Sequence, residues 1–188
     1  MRVFIAIDLP EEVRSQLADV ERELRPATTT ARWVAAESIH VTLKFIGEVS
    51  ERRVQSIHEA LAGLKWKPFQ LGVRGVGFFP GNRSPRVLWA GLHAPTMEGL
   101  VEKIDSRLER QGFEKEKRAF RPHVTLARAR TTRLEAALVR AALNYEHHDF
   151  GSFSVDRCFL YQSTLKSSGS VYTRLKEYLL GPPAGRNT

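Results

Sequence analysis

The sequence predicts an α+β fold built mainly from antiparallel sheet, and two observations carry this prediction. Helical and strand patterns interleave along the 188 residues, but several strands follow one another directly, which disfavours a doubly wound parallel sheet. The tetrapeptide His-Val-Thr-Leu occurs twice, at residues 40–43 and 123–126, with helix and strand patterns recurring around each copy. An internal repeat of this kind is typical of a duplicated architecture.

Strands are predicted where short apolar or alternating runs are bounded by turn residues. The Gly-rich run at 69–79 is predicted to carry bulges at its glycines. The predicted strands cover residues 3–7, 33–34, 39–46, 69–79, 86–92, 122–127, 150–155, 157–165 and 171–179, with the last strand able to continue into a helix.

Helices are predicted where apolar residues recur every three or four positions. Pro10 opens the first of them, which has acidic residues in its first turn. Its apolar face carries Val13, Leu17, Val20 and Leu24. Three further helices are predicted at residues 51–64, 96–111 and 132–143, and Gly112 is expected to end the third helix of the chain.

No linker divides the chain, so we predict one domain over residues 1–180 and a disordered Pro/Gly-containing tail over 181–188. No apolar run approaches the roughly 20 residues of a membrane span. Asp8 interrupts the N-terminal apolar run too early for a signal peptide, so we expect a cytoplasmic protein without a membrane partner. Cys158 lies among apolar neighbours and is expected to be a partly buried, reduced thiol.

The charge balance narrows the class of partner. Lys and Arg number 29 against 21 Asp and Glu, which gives a formal net charge of +8. A basic surface favours phosphate-rich partners through electrostatic steering and counterion release. Charge alone does not identify such a partner, because a phosphate-chemistry site must also exist.

The repeated tetrapeptide has the spacing that such a site requires. Residues i and i+2 of a strand share one face, so His40 lies beside Thr42, and His123 lies beside Thr125. Val and Leu of each copy then point into an apolar core. Duplication explains why Val and Leu recur through packing, but a buried His or Thr costs free energy unless it has a partner or a task.

Two imidazoles suit concerted acid–base chemistry near neutral pH, because one can be neutral while the other is charged. The neutral imidazole accepts a proton from water and the charged one donates a proton to a leaving oxygen. Threonine hydroxyls can donate hydrogen bonds to non-bridging phosphate oxygens. Neither motif contains a nucleophilic Ser or Cys, so water is the simpler nucleophile.

Other chemistries have weaker support in the sequence. The flanks of the motifs offer only Glu37 and Glu48 as further metal ligands, and His147-His148 falls in a polar stretch typical of a solvated turn. His58 and His93 are predicted to be surface residues. No phosphate-binding loop of the nucleoside triphosphatase type is present. We therefore expect neither a metal nor a cofactor.

With these residues in view, the chain resembles the 2H phosphoesterase superfamily, and within it the bacterial and archaeal RNA 2′,3′-cyclic phosphodiesterases, long called 2′-5′ RNA ligases. Each superfamily member carries two His-x-Thr/Ser-x motifs. The resemblance extends from Arg2 to Tyr172 and includes further matching stretches at residues 2–7, 33–34, 43–48, 85–91, 120–123 and 160–172.

The resemblance implies a two-lobed fold whose pseudo-two-fold related antiparallel sheets and flanking helices form a central cleft. It also implies hydrolysis of RNA 2′,3′-cyclic phosphate ends to 2′-phosphates, with reversible ATP-independent 2′-5′ ligation as the related reaction. His40 matches the general acid and His123 the general base. The implied substrate-binding residues are Thr42, Thr125 and Arg128 at the phosphate, and Phe45 at a base. We expect a monomer, with tRNA fragments among the candidate substrates.

Strand parity raises a difficulty for two of these residues. Phe45 and Arg128 each lie five positions past their histidine, so a regular strand would point them away from the cleft. A bulge or the end of the strand must turn them back. Lys44 and Arg121 lie an even number of positions from their histidines, so a regular strand would point them into the cleft. The alternative is that both are solvated surface charges.

Three functions remain open at this point. The first is the RNA-end cyclic phosphodiesterase. The second is the same chemistry on a small nucleotide, such as ADP-ribose cyclic phosphate or a 2′-5′ oligoadenylate. The third is a non-catalytic RNA-binding module that uses basic charge, to which Arg83 and Arg86 could contribute.

Overall fold

The computed structural model describes residues 1–166 and 169–181 and confirms the α+β class. The strands of this described part are β1 (Arg2–Asp8), β2 (Ala31–Trp33), β3 (His40–Glu48), β4 (Phe69–Phe79), β5 (Val87–His93), β6 (His123–Ala129), β7 (Asp149–Val155), β8 (Arg157–Lys166) and β9 (Gly169–Leu179). Its α-helices are α1 (Glu11–Leu24), α2 (Glu51–Leu61), α3 (Met97–Glu109) and α4 (Ala136–Ala142).

The strands form two antiparallel sheets with matching orders. The first sheet has the order β3-β1-β8-β9, and the second has the order β2-β6-β5-β4-β7. If β2 is set aside, each sheet begins with a His-Val-Thr-Leu strand, and the next strand of the sheet is the one that precedes it in the chain. The predicted duplication is therefore visible as a common strand order.

Helix positions follow from capping and from apolar spacing. Ser50 caps α2 by accepting a hydrogen bond from the Arg53 backbone N–H at 3.4 Å. The helix ends three residues earlier than predicted, just before Gly63, whose φ of 63° is left-handed. Helix α1 has Glu11 and Glu12 in its first turn, where they oppose the helix dipole, and it buries its predicted face.

Strand β2 begins two residues before the predicted 33–34, and two further elements differ from the sequence-based prediction. The 132–143 pattern forms a helix only from Ala136, because the Leu134 N–H donates to the Pro85 carbonyl at 2.6 Å and holds this stretch as a loop. The last element remains a strand to Leu179 and does not continue into a helix, because β8 pairs with it from Arg157 onward. Residues 182–188 of the predicted tail lie outside the described residues.

The core fills the space between the sheets and the helices. Its fully buried large side chains include Ile5, Leu17, Ile57, Leu88 and Phe150. Cys158 is a free thiol that is fully buried in the core, more deeply than predicted, and burial raises its pKa to about 12. None of the helices in the described chain has the length and apolar character needed to cross a membrane.

Candidate active site

Each His-Val-Thr-Leu strand contains a β-bulge at the same place. In β3, Thr42 pairs with Ala6 and Lys44 with Ile5, so Leu43 is the extra residue. In β6, Thr125 pairs with Trp89 and Ala127 with Leu88, so Leu126 is the extra one. A bulge of this kind shifts the alternation of the following side chains by one position.

The bulges resolve the parity difficulty. Leu43 and Lys44 are both buried, and Phe45 is turned to the face that carries His40 and Thr42, where 48% of its surface is exposed. Leu126 and Ala127 are likewise both buried. Arg128 therefore returns to the motif face.

The Arg128 guanidinium lies next to the second motif threonine. Its Nη2 donates to Thr125 Oγ1 at 3.4 Å. The structure thus brings Arg128 and Thr125 together on the face of β6 that also carries His123.

The same bulge overturns the expected placement of Lys44. The parity argument put Lys44 in the cleft, but the extra Leu43 turns it into the core, where only 7% of it is exposed. There it forms a buried ion pair with Asp105 of α3 and donates to the Glu114 carbonyl oxygen at 2.9 Å. Arg121 is exposed, and its Cζ lies 5.8 Å from the centre of the Phe79 ring beside His123.

The two histidines have equivalent hydrogen bonds. His40 Nδ1 bonds to the Ser38 carbonyl oxygen at 2.8 Å, and His123 Nδ1 bonds to the Arg121 carbonyl oxygen at 2.7 Å. A carbonyl oxygen only accepts, so Nδ1 carries the hydrogen in both rings. In each neutral imidazole Nε2 is then the unprotonated nitrogen, and in each imidazolium Nε2 is a donor.

An aromatic ring packs edge-on against each imidazole. Tyr172 lies 5.0 Å from His40 at an interplanar angle of 85°, and Phe79 lies 4.9 Å from His123 at 89°. His40 has a second aromatic neighbour, Phe4, at 4.7 Å. The hydrogen bond at Nδ1 orients each imidazole, and the aromatic contacts hold the plane of the ring.

The charges around the two imidazoles differ in sign. Burial lowers the pKa of His40, while the Ser38 carbonyl and the Asp8 carboxylate act to raise it. Burial also lowers the pKa of His123, the Arg121 carbonyl raises it, and the Arg128 guanidinium lowers it further. The anionic neighbour favours the charged form of His40, and the cationic neighbour favours the neutral form of His123.

A network on the first sheet holds Asp8 beside His40. The Tyr161 hydroxyl donates to Asp8 Oδ1 at 2.6 Å, and Arg174 forms an ion pair with the same carboxylate. These residues, together with Arg14 and Tyr172, line a pocket of about 400 Å³ that opens at His40. No pattern in the sequence assigns Asp8, Tyr161 and Arg174 to the site, because only the register of β1, β8 and β9 brings them together.

Strands β3 and β6 contact each other, so the two motif strands are neighbours across the two sheets. Thr42 is half-buried on the His40 face of β3. The other histidines lie elsewhere: His58 Nδ1 bonds to the Tyr178 hydroxyl at 2.6 Å, and His93 is exposed at the end of β5. Within residues 1–166 and 169–181, no group of three or more His, Cys, Asp or Glu residues is arranged to hold a metal ion.

Comparison with known proteins gives consistent matches over nearly the whole chain. An RNA 2′,3′-cyclic phosphodiesterase of Methanocaldococcus jannaschii is 32% identical over 178 residues, which are 95% of this chain and 100% of that protein. The crystal structure of TT0787 from Thermus thermophilus matches with a TM-score of 0.81 and 29% identity, and covers 98% of this chain and 100% of that one.

A ligand-bound structure also matches. The E. coli LigT complex with 3′-AMP has a TM-score of 0.76 and 30% identity, and covers 95% of this chain and 97% of that one. The family model described as LigT like phosphoesterase matches residues 7–89 and 93–172, so both His-Val-Thr-Leu motifs fall within it. The chain belongs to the LigT-like phosphoesterase family of 2H phosphoesterases.

Proposed function

We propose that this chain hydrolyses RNA 2′,3′-cyclic phosphate ends to 2′-phosphates, with His40 as general acid and His123 as general base. The observation that carries the proposal is the matched pair of imidazoles, each with Nδ1 engaged by a backbone carbonyl and Nε2 left for proton transfer. The relative from M. jannaschii is named for this activity.

The proposed step balances without an added reactant other than water. His123 Nε2 removes a proton from water as the water oxygen attacks phosphorus. The bond from phosphorus to O3′ breaks, and His40 Nε2–H gives its proton to O3′. The product carries a 2′-phosphate and a free 3′-hydroxyl, and proton exchange between the histidines and solvent restores the starting state.

The local charges support this assignment of roles. An acid must begin protonated; burial lowers the pKa of His40, and the Asp8 carboxylate opposes this lowering. A base must begin neutral, and the Arg128 guanidinium favours neutral His123. The reverse assignment would place the cationic neighbour beside the histidine that has to be charged.

The remaining predicted site residues receive roles that suit their positions. Thr42, Thr125 and Arg128 share the faces of the two histidines and bind the non-bridging phosphate oxygens. Phe45, which is exposed on the His40 face, stacks against the terminal base. A nucleotide ligand, 3′-AMP, occupies the related E. coli LigT structure.

Ligation follows from the same geometry if a 5′-hydroxyl of a second RNA replaces the attacking water. His123 then deprotonates that hydroxyl, and the leaving group is unchanged, so ATP is not needed. An RNA substrate is consistent with a cytoplasmic location of the protein. Transfer RNA fragments with cyclic phosphate ends are candidate substrates.

The test is an assay of the purified protein on an oligonucleotide with a 2′,3′-cyclic phosphate, with and without a chelator. We expect a 2′-phosphate product, no effect of the chelator, and losses of about 10²–10⁴-fold in His40→Ala and His123→Ala. His93→Ala, which changes an exposed histidine at the end of β5, is the matched control. Full activity in either motif variant, or a 3′-phosphate product, would exclude the mechanism.

A parallel assay separates the alternatives. Faster turnover of ADP-ribose cyclic phosphate or of a 2′-5′ oligoadenylate than of the RNA end would assign the site to small nucleotides. Salt-sensitive RNA binding without any turnover in the wild-type protein would assign the chain to non-catalytic RNA binding.

A further inference from the structure

The second sheet carries a concentration of arginines that have no carboxylate partner in the described part of the chain. Some arginines elsewhere on the surface form ion pairs, as in Arg22–Asp19 and Arg157–Glu177. Six arginines lie on β2, near the end of β6 or in the loops beside that end. Within residues 1–166 and 169–181, none of them forms an ion pair with a carboxylate. These arginines are Arg32, Arg83, Arg86, Arg128, Arg130 and Arg133.

Two members of this group face each other directly across a strand pair. Arg32 of β2 is in register with Arg128 of β6. Directly paired residues of an antiparallel ladder share a face, so Arg32 lies on the face of Arg128 and Thr125, and it is exposed. Their flanking pairs, Ala31 with Ala129 and Trp33 with Ala127, point to the other face.

A pair of like charges in this position destabilises a sheet unless an anion lies between or beside them. The Cα atoms of such a pair are only about 5 Å apart. Since Thr125 and Arg128 belong to the candidate phosphate site, Arg32 extends that site by one strand toward the edge of the sheet.

The basic face continues into a pocket beyond the end of β6. This pocket has a volume of about 600 Å³, and its lining includes Arg83, Arg133 and Arg140 together with the hydroxyls of Thr131 and Thr132. Strand β6 ends at Ala129, about 13 Å from Thr125, because each strand residue advances the chain by about 3.3 Å, and the pocket lining begins two residues later at Thr131.

The charge in this pocket is predominantly positive. Among the lining residues, the one carboxylate is that of Glu135, and its oxygens accept hydrogen bonds from the Thr28 and Thr29 hydroxyls and the Thr29 N–H. Glu135 is thereby committed to holding the loop that precedes β2. The arginines keep their donors for a ligand.

We propose that this face, from Arg128 and Arg32 to the pocket of Arg83, Arg133 and Arg140, binds the single-stranded RNA chain on the 5′ side of the reacting nucleotide. The inference rests on the proposed function for the position of the reacting phosphate. Arg32 binds the phosphodiester next to that phosphate, and the pocket binds phosphates further upstream. The face makes the enzyme prefer an RNA end over a mononucleotide.

The opposite side of the site does not offer the same attraction. Around the His40 pocket, Arg174 is neutralised by Asp8, and Arg14 donates to the Leu9 carbonyl oxygen at 2.9 Å. Glu37 adds a negative charge to that lining. A polyanionic chain is therefore drawn toward the second sheet.

The test compares kcat/KM on cyclic-phosphate substrates from a mononucleotide to an octanucleotide, at several salt concentrations. We expect the wild-type value to rise with length. Arg32→Gln should lower the ratio of dinucleotide to mononucleotide kcat/KM by about tenfold. Arg133→Gln should lower the value only for the longer oligonucleotides.

The salt dependence of kcat/KM is a second measurement, and a variant that merely lost folded protein would not change it. Each variant should reduce the slope of log(kcat/KM) against log[salt] by about 0.7, the contribution of one phosphate contact on a single strand. Arg32→Lys should retain the slope. Arg52→Gln, which changes an exposed arginine on α2 outside this face, is the control and should change neither readout.

Two results would overturn the inference: a wild-type kcat/KM independent of length, or equal effects of Arg32→Gln and Arg52→Gln. Absence of turnover on every substrate would instead reject the proposed function. In that case, equilibrium binding of a 2′-phosphorylated octanucleotide to the same variants decides the inference separately, and equal affinities would reject it.

Discussion

The His40 half of the site and the His123 half share a backbone plan but not their charged neighbours. Each half has a bulged strand, an Nδ1 bond to a carbonyl two residues earlier, and an edge-on aromatic ring. At the position paired with the histidine, the first sheet has Asp8 and the second has Gly91. The repeat supplies two equivalent histidines, and this paired position, together with Arg128 after the second bulge, gives them different charged neighbours.

Packing explains why the second half cannot carry the same carboxylate. A Cβ atom at Gly91 would lie 2.7 Å from the Arg74 carbonyl oxygen, closer than a side chain tolerates. His123 therefore has no acidic neighbour at the paired position, and the Arg128 guanidinium is the charge that lowers its pKa further. A duplicated fold has thus acquired unequal halves through steric exclusion on one side.

The largest expected effect is a difference between the two histidine variants that depends on whether the leaving group needs a proton. A cyclic substrate with sulfur in place of the bridging 3′ oxygen releases a thiolate, which needs no proton. On the oxygen substrate we expect both alanine variants to lose about 10²–10⁴-fold. On the sulfur substrate His40→Ala should recover most of this loss, and His123→Ala should not.

Single-turnover rates with the two substrates provide the measurement. Recovery in His123→Ala instead of His40→Ala would invert the acid and base assignment. Equal recovery in both variants would mean that the two halves are chemically equivalent after all.

The second prediction concerns Lys44, the residue that follows the bulge in β3. Lys44→Ala leaves Asp105 buried without its counter-charge, so the free energy of unfolding should fall by about 3–5 kcal/mol. Replacing both members, as Lys44→Met with Asp105→Leu, should recover most of this loss. Urea unfolding measures both variants, and a cost below about 1 kcal/mol for the single variant would show that the pair is not needed to hold the bulge.

The third prediction contrasts Phe45 with Arg128, which occupy equivalent positions after the two bulges. Phe45→Ala should lower kcat/KM by about tenfold, because a base loses a stacking partner, and salt should not alter that ratio. The loss in Arg128→Gln should shrink as salt rises, because its contact is electrostatic. Phe45→Trp is the control that should retain activity.

The smallest expected effect is a shift of the pH profile. Activity falls as pH rises through the pKa of the acid, so Asp8→Asn, which lowers the pKa of His40, should move the alkaline limb to lower pH. Activity falls as pH drops through the pKa of the base, so Arg128→Gln, which raises the pKa of His123, should move the acidic limb to higher pH. Movement of the opposite limb in either variant would contradict the assigned roles.

Periodicity and turn residues were sufficient to predict most elements. The strand predicted at 69–79 has those same bounds in β4, and Gly75 within it has a φ of 72° next to a register shift. Apolar spacing also located α1 and α3 to within a few residues. These signals are local, so the sequence alone displays them.

The features that could not be predicted depend on partners distant in the chain. The alternation of β3 gives no sign that Leu43 is unpaired, because its pairing belongs to β1, and Lys44 was consequently assigned to the wrong face. Asp8 was noticed only as a charge that ends an apolar run, since its role comes from register with His40. The loop before α4 depends on the Leu134–Pro85 hydrogen bond, which no local pattern indicates.

The bulge in each motif strand decides which of the following side chains line the cleft. If Leu43 paired regularly with Ile5, Phe45 would turn inward and the Lys44 ammonium outward. Deletion of Leu43 would instead remove the bulge and keep Lys44 opposite Ile5 and Phe45 opposite Phe4. In related chains, a one-residue gap at the fourth position of this tetrapeptide is therefore expected to leave the position of Phe45 on the cleft face.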